Sequence, residues 1–197
     1  MDKVILRAAW RTLAAIGVLL LTMTLALCLI FPSTMMHFTY DMGMDGASVK
    51  YAMRAYRRSA DVTYVAHATE TAIGADADQE IEYCGLKFIA HEDFALYCQA
   101  RDKEVGANGL YKQYIYGNIA LAQYRMGKKT AAFATALSAL GEREFPLNNA
   151  FYALALNALM AQDGEMIAMI QNKIAELQEG LSATDKEYLE NLADLLG

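Results

Sequence analysis

Residues 116–140 read YGNIALAQYRMGKKTAAFATALSAL, and this stretch decides the fold. Small residues recur through it as Ala120, Ala132 and Ala139, and Gly127 stands between two segments of helical periodicity. The pattern predicts a helix over 110–126 ended by Gly127 and a second over 128–140 ended by Gly141. A break that short makes the two helices antiparallel neighbours, and small side chains at their crossing let the backbones approach closely.

Helix and short break alternate on both sides of this hairpin. Toward the C-terminus, Pro146 and Asn148 precede a helix to Gln162, Asp163-Gly164 forms a break, and a helix over 165–179 stops at Gly180. Ser182, with Asp185 three residues later, caps a last helix carrying Leu189, Leu192, Leu195 and Leu196. Toward the N-terminus, Gly106, Asn108 and Gly109 interrupt the chain ahead of Leu110. Before them, a helix over 92–104 and one from Asp76 or Asp78 to Ile89 flank a turn near His91. Asp61 reads as the N-cap of a helix through Ile73 that Gly74 stops. Ala47 to Arg58 is helical, with Val49, Met53 and Tyr56 on one face and Lys50, Arg54, Arg57 and Arg58 on another. No alternating strand pattern occurs. The fold class is all-α, with stacked antiparallel helical hairpins over 47–197, each covering an apolar face of its neighbour.

Residues 12–31, TLAAIGVLLLTMTLALCLIF, carry no charge. As a helix the run is about 30 Å long, the thickness of a bilayer's hydrocarbon core. Its length, and the absence of a small-x-small site near Pro32, Ser33 and Thr34, favour a retained signal-anchor over a cleaved signal peptide. Leu27, directly before Cys28, is too large for a lipoprotein signal. Lys3, Arg7 and Arg11 precede the run and no basic residue follows until Lys50, so residues 1–11 are expected in the cytoplasm and the domain outside the cell membrane. Trp10, Phe38 and Tyr40 suit the two interfaces, and Thr22 and Thr24 can bond their own helix backbone. Residues 32–46, with Pro32, Gly43 and Gly46, read as a linker. The style of the N-terminus suggests a bacterial protein.

The net charge is −6, and residues 1–11 hold a local +2, so the remainder carries −8. That balance argues against nucleic acid as a partner. Three cysteines are few for a disulfide scaffold. Cys84 and Cys98 lie at equal distances from the expected turn near His91, so the sequence leaves open a disulfide between them or two buried thiols. The basic stripe of Lys50, Arg54, Arg57 and Arg58 lies just beyond the anchor, which leaves open contact with lipid head groups or simple solvation.

The hairpin at 116–140 resembles a tetratricopeptide repeat. Ala120, Gly127, Ala132 and Ala139-Leu140 stand at the family's spacing of small residues, and Tyr116 and Ile119 stand where it places large ones. Ala136 departs from it, since the family prefers an aromatic there. Residues 150–177 have the same outline around Gly164, with Asn157, Met169 and Glu176 where small residues are expected, and 61–90 share Ala68 and Gly74. The resemblance implies a tetratricopeptide-like α-solenoid that binds a protein or peptide in a groove lined by the first helix of each repeat. Here that groove would include Tyr114, Gly117, Leu121, Tyr124, Phe151, Leu154 and Ala158. The Lys, Arg and Asn of the family's peptide-carboxylate clamp are absent from it, so a ligand would meet aromatic and aliphatic side chains. The competing reading places these residues in the core.

Chemistry-bearing motifs are missing. His37, His67 and His91 have no metal-ligand spacing, and no HExxH, CxxC, phosphate loop or nucleophile elbow occurs. Carboxylate pairs such as Glu80/Glu82 and Glu142/Glu144 suit a solvated face. The expectation is therefore a membrane-anchored adaptor or scaffold without catalytic activity, cofactor or metal. The alternative is a structural subunit packed permanently into a larger membrane complex.

Overall fold

Four tight turns organise the chain. The computed structural model describes residues 2–106, 110–140, 149–177 and 183–197, which form eleven helices and no strand. In each turn one residue takes a left-handed backbone angle: Gly43 (φ 68°), Asp76 (φ 51°), Gly127 (φ 76°) and Gln162 (φ 53°). The next amide then reaches the carbonyl five residues back. Met44 donates to Thr39, Ala77 to Ala72, Lys128 to Gln123 and Asp163 to Ala158, at 2.8, 3.0, 2.9 and 2.9 Å. The left-handed residue's own amide donates three residues back, to Tyr40, Ile73, Tyr124 and Leu159 respectively. This pair of bonds is the Schellman motif, which satisfies the orphan carbonyls of a helix end and reverses the chain.

Each turn closes one hairpin. They are α2 (Pro32–Asp41) with α3 (Asp45–Ser59), α4 (Val62–Gly74) with α5 (Asp78–Ile89), α7 (Leu110–Arg125) with α8 (Lys129–Leu140), and α9 (Asn149–Met160) with α10 (Gly164–Leu177). The turn residues are 33, 51 and 35 apart, and the long middle interval contains α6 (Phe94–Glu104). Equivalent positions are buried in all four units. Seven residues before the turn stand Met36, Thr69, Ala120 and Ala155, and twelve after it stand Ala55, Phe88, Ala139 and Ile174. The first hairpin stacks on the second through α3 and α4, the second on the third through α5 and α7, and the third on the fourth through both α7 and α8 against α9. The last helix, α11 (Ala183–Leu196), lies on α9 and α10.

α7 divides two cores. Ile115 and Ile119 join Phe88, Ile81 and Val65 on one side, while Ala120 joins Ala132, Phe151, Leu154 and Ile170 on the other. A helix covered on both sides has no single apolar stripe, which accounts for the weak amphipathicity of 110–125. Two glycines permit the closest approaches to α7. A Cβ on Gly85 would stand 2.5 Å from Ile119 Cγ1, and one on Gly117 would stand 3.3 Å from Ala150 Cα.

Three expectations change. Residues 32–46 are not a linker, because Pro32–Asp41 is helix and Gly43 is its turn. Pro32 occupies the first helical position, where its missing N–H costs nothing. Met36 and Thr39 are buried, and the hydroxyl of Ser48 on α3 donates to Met36 O at 3.1 Å. Second, the chain reverses two residues away from two of the glycines assigned to turns. Gly74 lies inside α4 and Gly164 opens α10, while Asp76 and Gln162 carry the left-handed angles. Third, α6 does not form a close hairpin with α5 but packs mainly on α7 and also on α4. The α4 boundary follows its N-cap, since Asp61 Oδ1 accepts from Thr63 N at 2.9 Å. Asn108, Gly109, Gly141, Glu142, Glu144, Pro146, Asn148, Gly180 and Ser182 lie outside the described residues.

α1 (Asp2–Ile30) carries a segment, Arg7–Leu27, long and apolar enough to cross a membrane and uncovered by the rest of the protein. Thr22 and Thr24 return their hydroxyls to Leu19 O and Leu20 O at 2.8 and 2.9 Å. Phe38 and Tyr40 fall on α2, where Tyr40 meets the ring of His67 edge-on at 5.1 Å.

Replacing Gly85 by Ala forces its new methyl into the fully buried Ile119 and should lower stability by about 1–3 kcal/mol. Unfolding in detergent measures this, and Ile119→Val in the same chain should recover part of the loss. Gln162→Gly relieves a left-handed angle on a side-chain-bearing residue and should raise stability by about 0.5–1 kcal/mol in the same assay.

Candidate functional site

The first helices of the hairpins share a face, found by counting back from each turn residue. Three residues back stand Tyr40, Ile73, Tyr124 and Leu159, and six back stand His37, Glu70, Leu121 and Leu156. Ten back stand Ser33, Ala66, Gly117 and Tyr152. Aromatic and aliphatic groups dominate this inner face over α7 and α9, whereas α2 and α4 bring His37 and Glu70 to it.

Seven residues were expected to line a groove on this face, and the structure divides them. Tyr114 is 47% exposed, and Leu121 and Tyr124 are half-buried. Gly117 is buried against Ala150. Phe151, Leu154 and Ala158 are core residues with no exposed surface. Those three were placed by counting from Gly164, whereas the turn residue is Gln162. Moving the register by two residues puts Tyr152, Leu156 and Leu159 on the face in their stead. Tyr152 is exposed, and Leu156 and Leu159 are half-buried.

Over the middle of the inner face lies α6, held by an ionic and aromatic cluster. Tyr111 donates its hydroxyl proton to Glu70 Oε1 at 2.5 Å, and Arg101 Nη2 reaches the same oxygen at 3.3 Å. Arg101 Nη1 donates to Glu104 Oε2 at 2.8 Å, and its guanidinium stands 5.6 Å from the Tyr111 ring centroid. The Tyr111 amide donates to Asp102 Oδ1 at 2.9 Å. Phe88 meets Phe94 and Tyr97 edge-on at 4.8 and 5.5 Å. Burial, reinforced by the bond to Glu70, pushes the Tyr111 phenol far above its ordinary range. Sequence reasoning passed over this cluster, although Glu70 gave a signal as the single charged residue of α4.

The histidines tie helices together. Ser48 Oγ donates to Met36 O and lies 3.2 Å from His67 Nε2, and these contacts join α2, α3 and α4. Burial, with His37 nearby, lowers the pKa of His67 and favours the neutral imidazole. His91 Nε2 lies 2.9 Å from Ala60 O, and its Nδ1 accepts from the Asp93 amide at 3.1 Å. Among the described residues no three His, Cys, Asp or Glu side chains come together to hold a metal ion.

Along the turn edge, charges link the second hairpin to the third and the third to the fourth. Arg125 reaches Asp76 at 3.0 Å and also pairs with Asp78, and Lys128 pairs with Glu82. Lys129 lies 2.9 Å from Asp163 and from Glu165, and Tyr124 OH donates to Asp163 at 3.1 Å. The predicted basic stripe is exposed along α3. Its last member, Arg58, donates to Leu29 O and Ile30 O of α1 at 2.7 and 3.2 Å.

Cys84 and Cys98 are both buried and are thiols rather than a bridge. The α5–α6 hairpin that would have set them face to face does not close, because α6 leans on α7. Burial pushes the Cys84 thiol up to about 12.

No protein-family model, curated protein or solved structure matches the chain.

Cys84 should resist iodoacetamide at neutral pH in the folded chain, since little thiolate is present and the sulfur is covered. In denaturant without reductant, mass spectrometry should find all three cysteines alkylated. A chain carrying a single label would reveal a Cys84–Cys98 bridge.

Proposed function

We propose that this is a single-pass membrane protein whose helical array is a tetratricopeptide-like α-solenoid serving as a protein-interaction module. The observation that carries this reading is the hairpin repeated four times with one turn geometry and one set of buried positions. The register set by Gln162 places the small, fully buried Ala155 at the helix crossing in the stead of Asn157. The partner is a protein or peptide held on the inner face by Tyr114, Leu121, Tyr124, Tyr152 and Leu156. Tyrosines suit that task, since a rigid ring contributes a large contact area at little entropic cost and its hydroxyl fixes orientation. The peptide-carboxylate clamp is absent, so recognition rests on apolar side chains of the partner.

Membrane attachment by α1 is part of the same reading. Its support is the exposed apolar segment Arg7–Leu27 and the basic residues Lys3, Arg7 and Arg11 before or at its start. Those charges favour a cytoplasmic N-terminus with the solenoid on the other side of the cell membrane, acting as an adaptor or scaffold.

Photo-reactive residues placed at Tyr114 and Tyr152 in intact membranes test the groove. The expected result is one discrete intermolecular adduct at both positions. Leu121→Glu, in a chain that keeps its thermal unfolding midpoint, should weaken capture by about 30-fold, the effect of losing one central contact. Adducts confined to the chain itself at both positions would overturn the groove.

A further inference from the structure

We propose that the edge of the helical domain next to α1 docks on an anionic lipid surface through Arg57, Arg58 and Lys87; this rests on reading α1 as a membrane span. The first support is how the cations are distributed. Arg101, Arg125, Lys128, Lys129 and Lys173 each form an ion pair with a carboxylate of the protein. Arg57, Arg58 and Lys87 are exposed and pair with no carboxylate among the described residues. At the turn edge Arg125, Lys128 and Lys129 are matched by carboxylates, whereas Arg57, Arg58 and Lys87 are not.

Position is the second support. The two bonds from Arg58 to the last carbonyls of α1 place its guanidinium where the apolar helix ends. Arg57 Nη2 donates to Tyr83 OH at 3.1 Å, and Lys87 Nζ stands 5.2 Å from the centroid of the same ring. Cations of α3 and α5 thus converge on one tyrosine. The carboxylates of Asp61 and Asp93 form no ion pair with them: Asp61 accepts from the Thr63 amide and hydroxyl, and Asp93 Oδ2 lies 3.9 Å from His91.

The third support is the joint itself. Only Phe31 separates α1 from α2. Helical hydrogen bonds run through it, from Phe31 N to Leu27 O at 3.0 Å and from Met35 N to Phe31 O at 3.1 Å. So short a joint keeps the domain beside the bilayer, and a span by α1 leaves Arg57, Arg58 and Lys87 within reach of the head groups. Guanidinium groups there suit lipid phosphates, which they bind by paired hydrogen bonds. Lys50 and Arg54 continue the stripe along α3, with Lys50 about 12 Å from Arg58 along the axis, near the limit of electrostatic screening.

Energy transfer in the full-length chain tests this. Ser59→Trp in a Trp10→Phe background, reconstituted in vesicles bearing a dansyl head-group label, reports the distance of the α3 end from the surface. Transfer should be stronger when phosphatidylglycerol is mixed into phosphatidylcholine, and the gain should vanish near 1 M salt. Arg57→Glu with Lys87→Glu should lower the docked-to-free ratio by about fivefold per charge, and the Gln versions by less. Equal transfer in both lipids, in a chain that resists carbonate extraction, would overturn the docking surface and leave the span standing. Release of the chain by carbonate from both vesicle types would overturn the span, and the docking surface with it.

Discussion

At the end of each first helix, the amide one residue beyond the left-handed residue bonds to the carbonyl five residues back. The rest of the architecture follows from that contact. It ends a helix with its carbonyls satisfied, and it aims the next helix back along the first in a fixed direction. Because the four turns are equivalent, residues at equal distance from them meet equivalent surroundings, which is why Met36, Thr69, Ala120 and Ala155 are all buried. Stability then accrues by stacking, since each hairpin leaves a face that the next one covers.

α7 bears most of that stacking. It touches α5, α6, α8 and α9, and its neighbouring residues Ile119 and Ala120 belong to different cores. Gly85 and Gly117 let α5 and α9 come close to it from two directions. The α6 insertion makes use of the same helix. It spans α4 and α7 on the inner face, so the Glu70–Tyr111–Arg101 cluster fills with the protein's own side chains a surface that α7 and α9 leave partly open further along. The open part is aromatic and aliphatic, and the covered part is where the charges lie.

Charge is sorted along the two edges of the stack. At the turns, basic and acidic residues of successive hairpins are matched, as in Arg125 with Asp76 and Asp78 or Lys129 with Asp163 and Glu165. Such exposed pairs contribute little each, but they link turns that are distant in sequence. At the α1 edge the basic groups bond to backbone carbonyls and to a tyrosine instead of carboxylates.

Local chemistry sufficed for the all-helical class, for the apolar N-terminal helix and for most helix boundaries. An N-cap such as Asp61 and a glycine such as Gly127 act within one turn of backbone, so a single sequence reveals them. The register of the second and fourth hairpins was not legible in that way. Glycine is where a left-handed angle is cheapest, yet the chain places that angle on Asp76 and Gln162, because the packing of α4 on α5 and of α9 on α10 fixes where each helix must end. A shift of two residues turns the face of α9 by more than half a turn, which sent Phe151, Leu154 and Ala158 into the core and brought Tyr152 to the surface. Pro32 misled for the opposite reason, since a residue that breaks most helices is at home in the first position of one. The sequence by itself determined which segments are helical, because propensity, capping and periodicity are local. Only the tertiary structure decided which face of each helix is open, because burial depends on neighbours brought together from far along the chain.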